Sequence, residues 1–203
     1  MSYSHFLITR FNLKFPEKPG GKNNPSPRGP DCEWLNKRTD LFMKYCLPSV
    51  LNQTTKNFRW LIYFDLSTKK DSIQKFNELE KQNQDIIKII LADGYPDFLK
   101  RYTKDVLALC DHNSKYIITT RLDNDDIIHK DFIAKIQENF HEQEFMAVNY
   151  VKILMLNPEN NKKLHIDYSF SNHFISLIEK IEKGNIEGCY SKGDREWNRT
   201  NEI

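Results

Sequence analysis

The chain has 203 residues and a formal net charge of +2. That length suits one domain with a substantial core. So mild a charge excludes a strong field for nucleic acid or anionic lipid. The N-terminus lacks the basic stretch of a signal peptide, and no apolar run is long enough to cross a bilayer. A cytoplasmic protein is expected, for which contact with the inner membrane would be peripheral. Cys32, Cys46, Cys110 and Cys189 form neither Cys-x-x-Cys nor a zinc spacing, and they read as reduced thiols.

His5-Phe-Leu-Ile-Thr-Arg-Phe-Asn12 predicts a first strand without a polar face, hence a central one, with Arg10 and Asn12 at its end. Lys14 to Asp31 is a loop rich in proline and glycine, of a length typical of lids and binding loops. Trp34 to Asn52 carries a helical apolar stripe, and Pro48 predicts a kink or a second helix starting near Leu47. Phe58-Arg-Trp-Leu-Ile-Tyr-Phe-Asp65 is the second strand; Ser67 or Thr68 is expected to cap the helix from Lys69 to Gln84. Ile86 to Leu91 is the third strand, closed by Asp93, and a helix follows from Pro96 to Asn113 with Arg101 near its start.

Tyr116-Ile-Ile-Thr-Thr-Arg-Leu122 reads as a buried strand that ends in Asp123-Asn-Asp-Asp126. Three carboxylates in four residues repel one another, and a hard divalent cation, Mg²⁺ or Mn²⁺, is the usual compensation. An EF-hand does not fit, since the glycine and glutamate of that loop are missing. The acids lead toward an amphipathic helix reaching about Phe140. Phe145 to Leu156 reads as one long strand or two short ones, Asn157 to Asn161 as a hairpin-like turn, and Lys163 to Tyr168 as the return. Phe174 to Glu179 is a strand or a helix.

The alternation of strands and helices up to Phe140 predicts an α/β fold with a mostly parallel sheet. Parallel strands bring their carboxyl ends to one edge, where such sheets bind ligands. Arg10, Asn12, Asp65, Asp93 and the 123–126 acids should therefore converge. A P-loop is absent, as is the glycine fingerprint of dinucleotide oxidoreductases.

Cys46-Leu-Pro-Ser-Val-Leu-Asn-Gln-Thr54, Phe58 to Asp65 and Tyr116 to Asp126 together resemble the GT-A glycosyltransferases, and within them the bacterial putative rhamnosyltransferase family. The resemblance covers roughly residues 5 to 150. It implies a single GT-A-like domain over 1–203. Residues 1–126 would be the nucleotide-sugar-binding half. Residues 127–203 would be an acceptor half, expected to be incomplete at the C-terminus. Helices would cover both sheet faces, and the C-terminal part would be antiparallel. It implies transfer of a sugar, rhamnose being one candidate, from a nucleotide-sugar donor to a carbohydrate or glycolipid acceptor in cell-surface polysaccharide synthesis, with inversion.

The resemblance also assigns residues. Arg10, Asp65 and Asp93 would hold the nucleoside, Asp123 the ribose or the metal, and Asp125 the metal. Asn12, Arg101, Arg121 and Asn124 complete the expected donor-binding set. Asp194, Glu196 and Asp167 are the candidates for the general base that inversion needs. Two features depart from the family pattern: Asp65 precedes Leu-Ser-Thr rather than an acid and a glycine, and no late histidine matches a metal ligand. His129, His165 and His173 read as surface or structural residues. Two other readings stay open: a non-catalytic module that binds nucleotide-sugar or glycan, and a haloacid-dehalogenase-like phosphatase, which would need an aspartate where Ser67 stands.

Overall fold

A computed structural model describes residues 2–16, 32–156, 164–169, 172–193 and 196–197. Eight strands and five α-helices are described. Five α-helices and a π-helical turn come with the first five strands: β1 Tyr3–Arg10, α1 Cys32–Leu41, the π turn Phe42–Cys46, α2 Leu47–Leu51, β2 Arg59–Asp65, α3 Lys70–Gln82, β3 Ile87–Ala92, α4 Gly94–Leu109, β4 Tyr116–Arg121, α5 Phe132–Gln137 and β5 Phe145–Val148. β6 Lys152–Leu156, β7 Leu164–Tyr168 and β8 Ser176–Lys180 follow.

Six strands form one sheet in the order β3-β2-β1-β4-β8-β5. The first four pair in parallel, with Arg10 opposite Tyr63, Asp65 opposite Ala92 and Ile8 opposite Arg121. β8 lies antiparallel to both β4 and β5. This is the expected α/β, GT-A-like arrangement, and β1 is central, as its lack of a polar face predicts. β6 and β7 form a separate two-stranded sheet, so Phe145–Leu156 is two short strands and Phe174–Glu179 contains a strand.

Side chains alternate across the sheet with the period of two that strands impose. Leu7, Trp60, Ile62 and Phe64 face one side and pack with Phe42, Val50, Phe76 and Ile133. Phe6, Ile8, Leu61 and Tyr63 face the other and pack with Phe98, Val106 and Tyr190. Both faces are covered, which is why these strands read as continuous apolar runs. Each such side chain contributes about 1.5–3 kcal/mol when fully buried.

As expected, a second helix starts at Leu47, after a π turn, and Pro48 sits in its first turn, where its missing N–H costs no bond. Two details correct the expectations. Neither Ser67 nor Thr68 caps α3: Lys69 holds the cap position without a side-chain bond, while both hydroxyls turn back to Asp65. The helix after the acids is confined to Phe132–Gln137. The loop 17–31 and the 157–161 turn lie outside the described residues. Cys46 and Cys189 are buried thiols and Cys110 is half-buried.

Candidate functional site

The parallel register sets the strand ends along one edge in the order Asp93, Asp65, Arg10, Asp123. The turn after β4 is fixed from three directions. Leu122 donates its backbone N–H to the Ile8 carbonyl at 3.1 Å, extending the β1–β4 ladder. Asn124 is buried and donates from Nδ2 to the Phe11 carbonyl at 2.9 Å. Asp126 closes the turn by donating its N–H to the Asp123 carbonyl.

The chain leaving the turn is strapped to α2. Ser49 Oγ accepts the Ile128 N–H at 3.3 Å. Gln53 is buried; its Nε2 donates to the His129 carbonyl at 2.7 Å, and its Oε1 accepts the Ile133 N–H at 3.0 Å. Val50, between them, is in the core. The Ser-Val-x-x-Gln element therefore orients the exit from the acid turn, and its bonds replace the helical ladder that would otherwise begin at Ile127.

Each acid meets a cation. Asp123 lies 3.5 Å from Arg10 and 3.9 Å from Arg121. Asp125 pairs with Arg38 of α1. Asp126 pairs with Nε2 of His173 at 2.7 Å. His173 reaches the turn because β8 returns antiparallel beside β4, with Asn172 Nδ2 donating to the Tyr150 carbonyl just before it. One ligand atom from each of Asp123, Asp126 and His173 falls within 4.8 Å of the others.

Electrostatics in this cluster are frustrated. Burial pushes the Asp126 carboxyl above its ordinary pKa, and His173 offsets only part of that rise. Burial works against the His173 charge, but Asp126 overcomes it and the imidazole pKa ends raised. Burial likewise opposes the Arg10 charge, which Tyr190 and Asp123 sustain. Arg10 lies under aromatic rings, 4.9 Å from the centroid of Tyr190 and 5.3 Å from that of Tyr95.

Two clefts meet at this turn. One, of about 50 Å³, is lined by Arg10, Phe15, Trp34, Arg38 and the residues 123–125. The other, about 680 Å³, is lined by Asp125, Asp126, His173 and a largely apolar wall. Asp125 lines both.

The other sequence-predicted residues are placed as follows. Asp65 is buried; its carboxylate accepts Ser67 N–H and O–H and Lys14 N–H. Burial raises its pKa less than these bonds lower it, and it stays below the usual value. Asn12 is buried, joining the Asp65 N–H to Thr68. Asp93 is exposed at the start of α4. Arg101 is bound to Asp105, Asp97 and the Leu91 carbonyl, within α4 and β3. The structure does not bring it to the acid turn. Neither Asp167 nor Glu196 lines either of these two clefts: both are exposed, Asp167 in β7 accepting the Tyr168 N–H and Glu196 accepting the Gly193 N–H. Asp194 lies outside the described residues.

His173, read from the sequence as a surface or structural residue, lies at the acid turn. Nothing local distinguishes it, because its partner Asp126 lies 47 positions earlier. Asp123 and Asp125 are the pair expected for a metal; the three residues whose ligand atoms lie within reach of one ion are Asp123, Asp126 and His173.

A protein-family model described as "Putative rhamnosyl transferase" matches residues 30–190. No curated protein matches the chain. Among solved structures, the crystal structure of S. aureus TarS 1-349 is similar with a TM-score of 0.39 and 14% identity, over 66% of this chain and 31% of that one. The same protein in complex with UDP gives 0.37 and 14%, over 68% and 31%. This chain thus spans less than a third of the TarS chains. No helix among the described residues is long and apolar enough to cross a membrane.

Proposed function

The chain belongs to the glycosyltransferase family described as "Putative rhamnosyl transferase", and from that premise we propose that it transfers a sugar from a nucleotide-sugar donor to a carbohydrate acceptor in cell-surface polysaccharide synthesis. Rhamnose is the sugar that the family description names. The observation that carries the reading is the junction of two clefts at Asp123, Asp126 and His173.

Two carboxylates and one imidazole fit a divalent ion of the Mn²⁺ or Mg²⁺ type, and the imidazole favours Mn²⁺. The cluster's chemistry agrees: the carboxylates crowd together in a partly buried place where a cation would relieve them. When bound, the ion supplies Lewis-acid stabilisation of the departing diphosphate. Asp123, Asp126 and His173 are the residues proposed to hold it.

The donor is assigned to the smaller cleft. Arg10 and Arg38 present guanidiniums there for diphosphate oxygens. Arg38 would exchange Asp125 for phosphate. Asn124 and Arg121 keep the turn and its charge in place, and Asp65 and Asp93 stand further along the edge, the side proposed for the nucleoside. In the transfer, the acceptor hydroxyl oxygen bonds to the anomeric carbon. The bond from that carbon to the diphosphate oxygen breaks, and the nucleoside diphosphate leaves with the electron pair. The hydroxyl proton passes to a carboxylate; Asp125 and Asp131, which line the larger cleft, are proposed in place of Asp167 and Glu196. Inversion is the stereochemistry proposed for this single displacement.

A thermal-shift screen of nucleoside diphosphates and their sugars, with and without Mn²⁺, tests the reading. At least one nucleotide should raise the melting temperature only when the ion is present. A screen in which no nucleotide stabilises the protein under either condition would overturn it.

A further inference from the structure

Two neighbouring strands end a core-facing row of side chains in an arginine. Ile8 pairs with Arg121, so Ile8 and Arg10 of β1 share a face with Ile117 and Arg121 of β4. Both arginine side chains are nearly covered, 12% and 10% exposed. Two like charges buried side by side are costly unless something faces both. Asp123 reaches both. So does the ring of Tyr190, whose centroid lies 4.9 Å from the Arg10 guanidinium and 5.1 Å from that of Arg121.

Tyr190 is itself held in place. The Thr119 hydroxyl accepts the Cys189 N–H at 2.9 Å, the Tyr190 hydroxyl donates to the Ile8 carbonyl at 3.2 Å, and Phe98 packs edge-on against the ring at 5.0 Å. The nearest atoms to a side chain at Gly188 would belong to Tyr102, not to this ring. Tyr190 is buried and lines neither cleft, so it acts on a ligand only through the arginines. An electron-rich ring face attracts cations, most strongly where water is excluded. It holds them without cancelling their charge, as a second carboxylate would. That charge stands at the strand ends, where Arg10 lines the smaller cleft. We infer that Tyr190 is a positioning residue of the donor site, which aims Arg10 and Arg121 at the diphosphate. This rests on the proposed transferase reading and adds to it a residue that neither cleft exposes.

Calorimetric titration with UDP, GDP and dTDP, each beside its monophosphate and with Mn²⁺ present, tests it. The ratio of diphosphate to monophosphate affinity reads the grip on the second phosphate. In Tyr190→Leu that ratio should fall about fivefold or more, and in Tyr190→Phe less than about twofold, because the ring face makes the contact. Replacing Tyr190 by pentafluorophenylalanine keeps the ring, withdraws its electron density and does not depend on whether Tyr190→Leu folds. It should lower the ratio well below that of Tyr190→Phe. Val106→Ala, a truncation in the same core, should lower the urea midpoint and leave the ratio unchanged. A ratio in the fluorinated protein equal to that of Tyr190→Phe would overturn the inference. So would a fall in Tyr190→Phe or in Val106→Ala as large as in Tyr190→Leu. If no diphosphate binds the unaltered protein, the transferase reading falls and this inference with it. Diphosphate binding with a ratio indifferent to residue 190 removes only the inference.

Discussion

His173 and Asp126 carry different information although they form one pair. Asp126 belongs to an acidic string visible in the sequence, while His173 is an isolated histidine whose partner is supplied by an antiparallel return. If the pair belongs to a metal site, His173→Ala and Asp123→Asn should each weaken Mn²⁺-dependent nucleoside diphosphate binding by about tenfold or more, given what loss of a metal ligand or its support typically costs. Asp125→Asn separates the two assignments of that residue. As a base it should lose turnover with donor affinity kept; as a ligand it should lose both. Donor titration beside turnover rates distinguishes them.

A second residue-scale prediction concerns His5. Its ring lies between Thr120 and Gln137, and burial holds its pKa down to about 3, against an ordinary 6.5. The unfolded chain therefore takes up the proton first. This contribution is complete above about pH 6.5 and is lost as pH falls toward 3, with a slope of up to ~1.4 kcal/mol per pH unit. Denaturant midpoints should fall from pH 6.5 to 5 in the unaltered protein and fall less in His5→Asn.

At the scale of elements, α2 and the acid turn act together. Gln53 ties both the His129 carbonyl and the Ile133 N–H; Gln53→Ala leaves the buried Ile133 N–H without this acceptor, while the His129 carbonyl keeps the Phe132 N–H. Loss of that one bond should cost about 1–3 kcal/mol in urea unfolding and also weaken metal-dependent nucleotide binding; unchanged nucleotide affinity at reduced stability would limit it to a structural role. The turn after β8 gives a control at a residue that lines neither cleft. Gly188 has φ +75°, and a Cβ there would meet the Tyr102 ring at 2.6 Å. Gly188→Ala should destabilise by about 2–3 kcal/mol with nucleotide affinity unchanged in whatever fraction stays folded.

Elements were legible in the sequence where one physical rule decided them. Strands buried on both faces read as unbroken apolar runs, as in Phe58–Asp65. Pro48 marked the start of α2. The π turn at Phe42–Cys46 was not legible, because it depends on how Phe42 and Cys46 seat in the core. The supposed caps failed because Asp65, once buried, draws the hydroxyls of Ser67 and Thr68 and the N–H of Lys14 to itself. Likewise the short α5 follows from a strap, Ser49 and Gln53, that acts across almost eighty residues.

For the whole molecule, topology does what no local motif can. Four parallel strands deliver Asp93, Asp65, Arg10 and Asp123 to one edge, and that convergence was legible from the strand order alone. The return of β8 beside β4, which adds His173, was not, since a polar segment with one short apolar run does not announce its partner. Asp167 and Glu196 are exposed, each accepting a nearby backbone N–H, and stand apart from both clefts.

Pulsed electron paramagnetic resonance of Mn²⁺ bound with a nucleoside diphosphate tests the cluster most directly. A nitrogen coupling to the ion should be present in the unaltered protein and absent in His173→Ala. A spectrum with no nitrogen coupling, or one that keeps it in the variant, would contradict the assignment of Asp123, Asp126 and His173 as the metal centre.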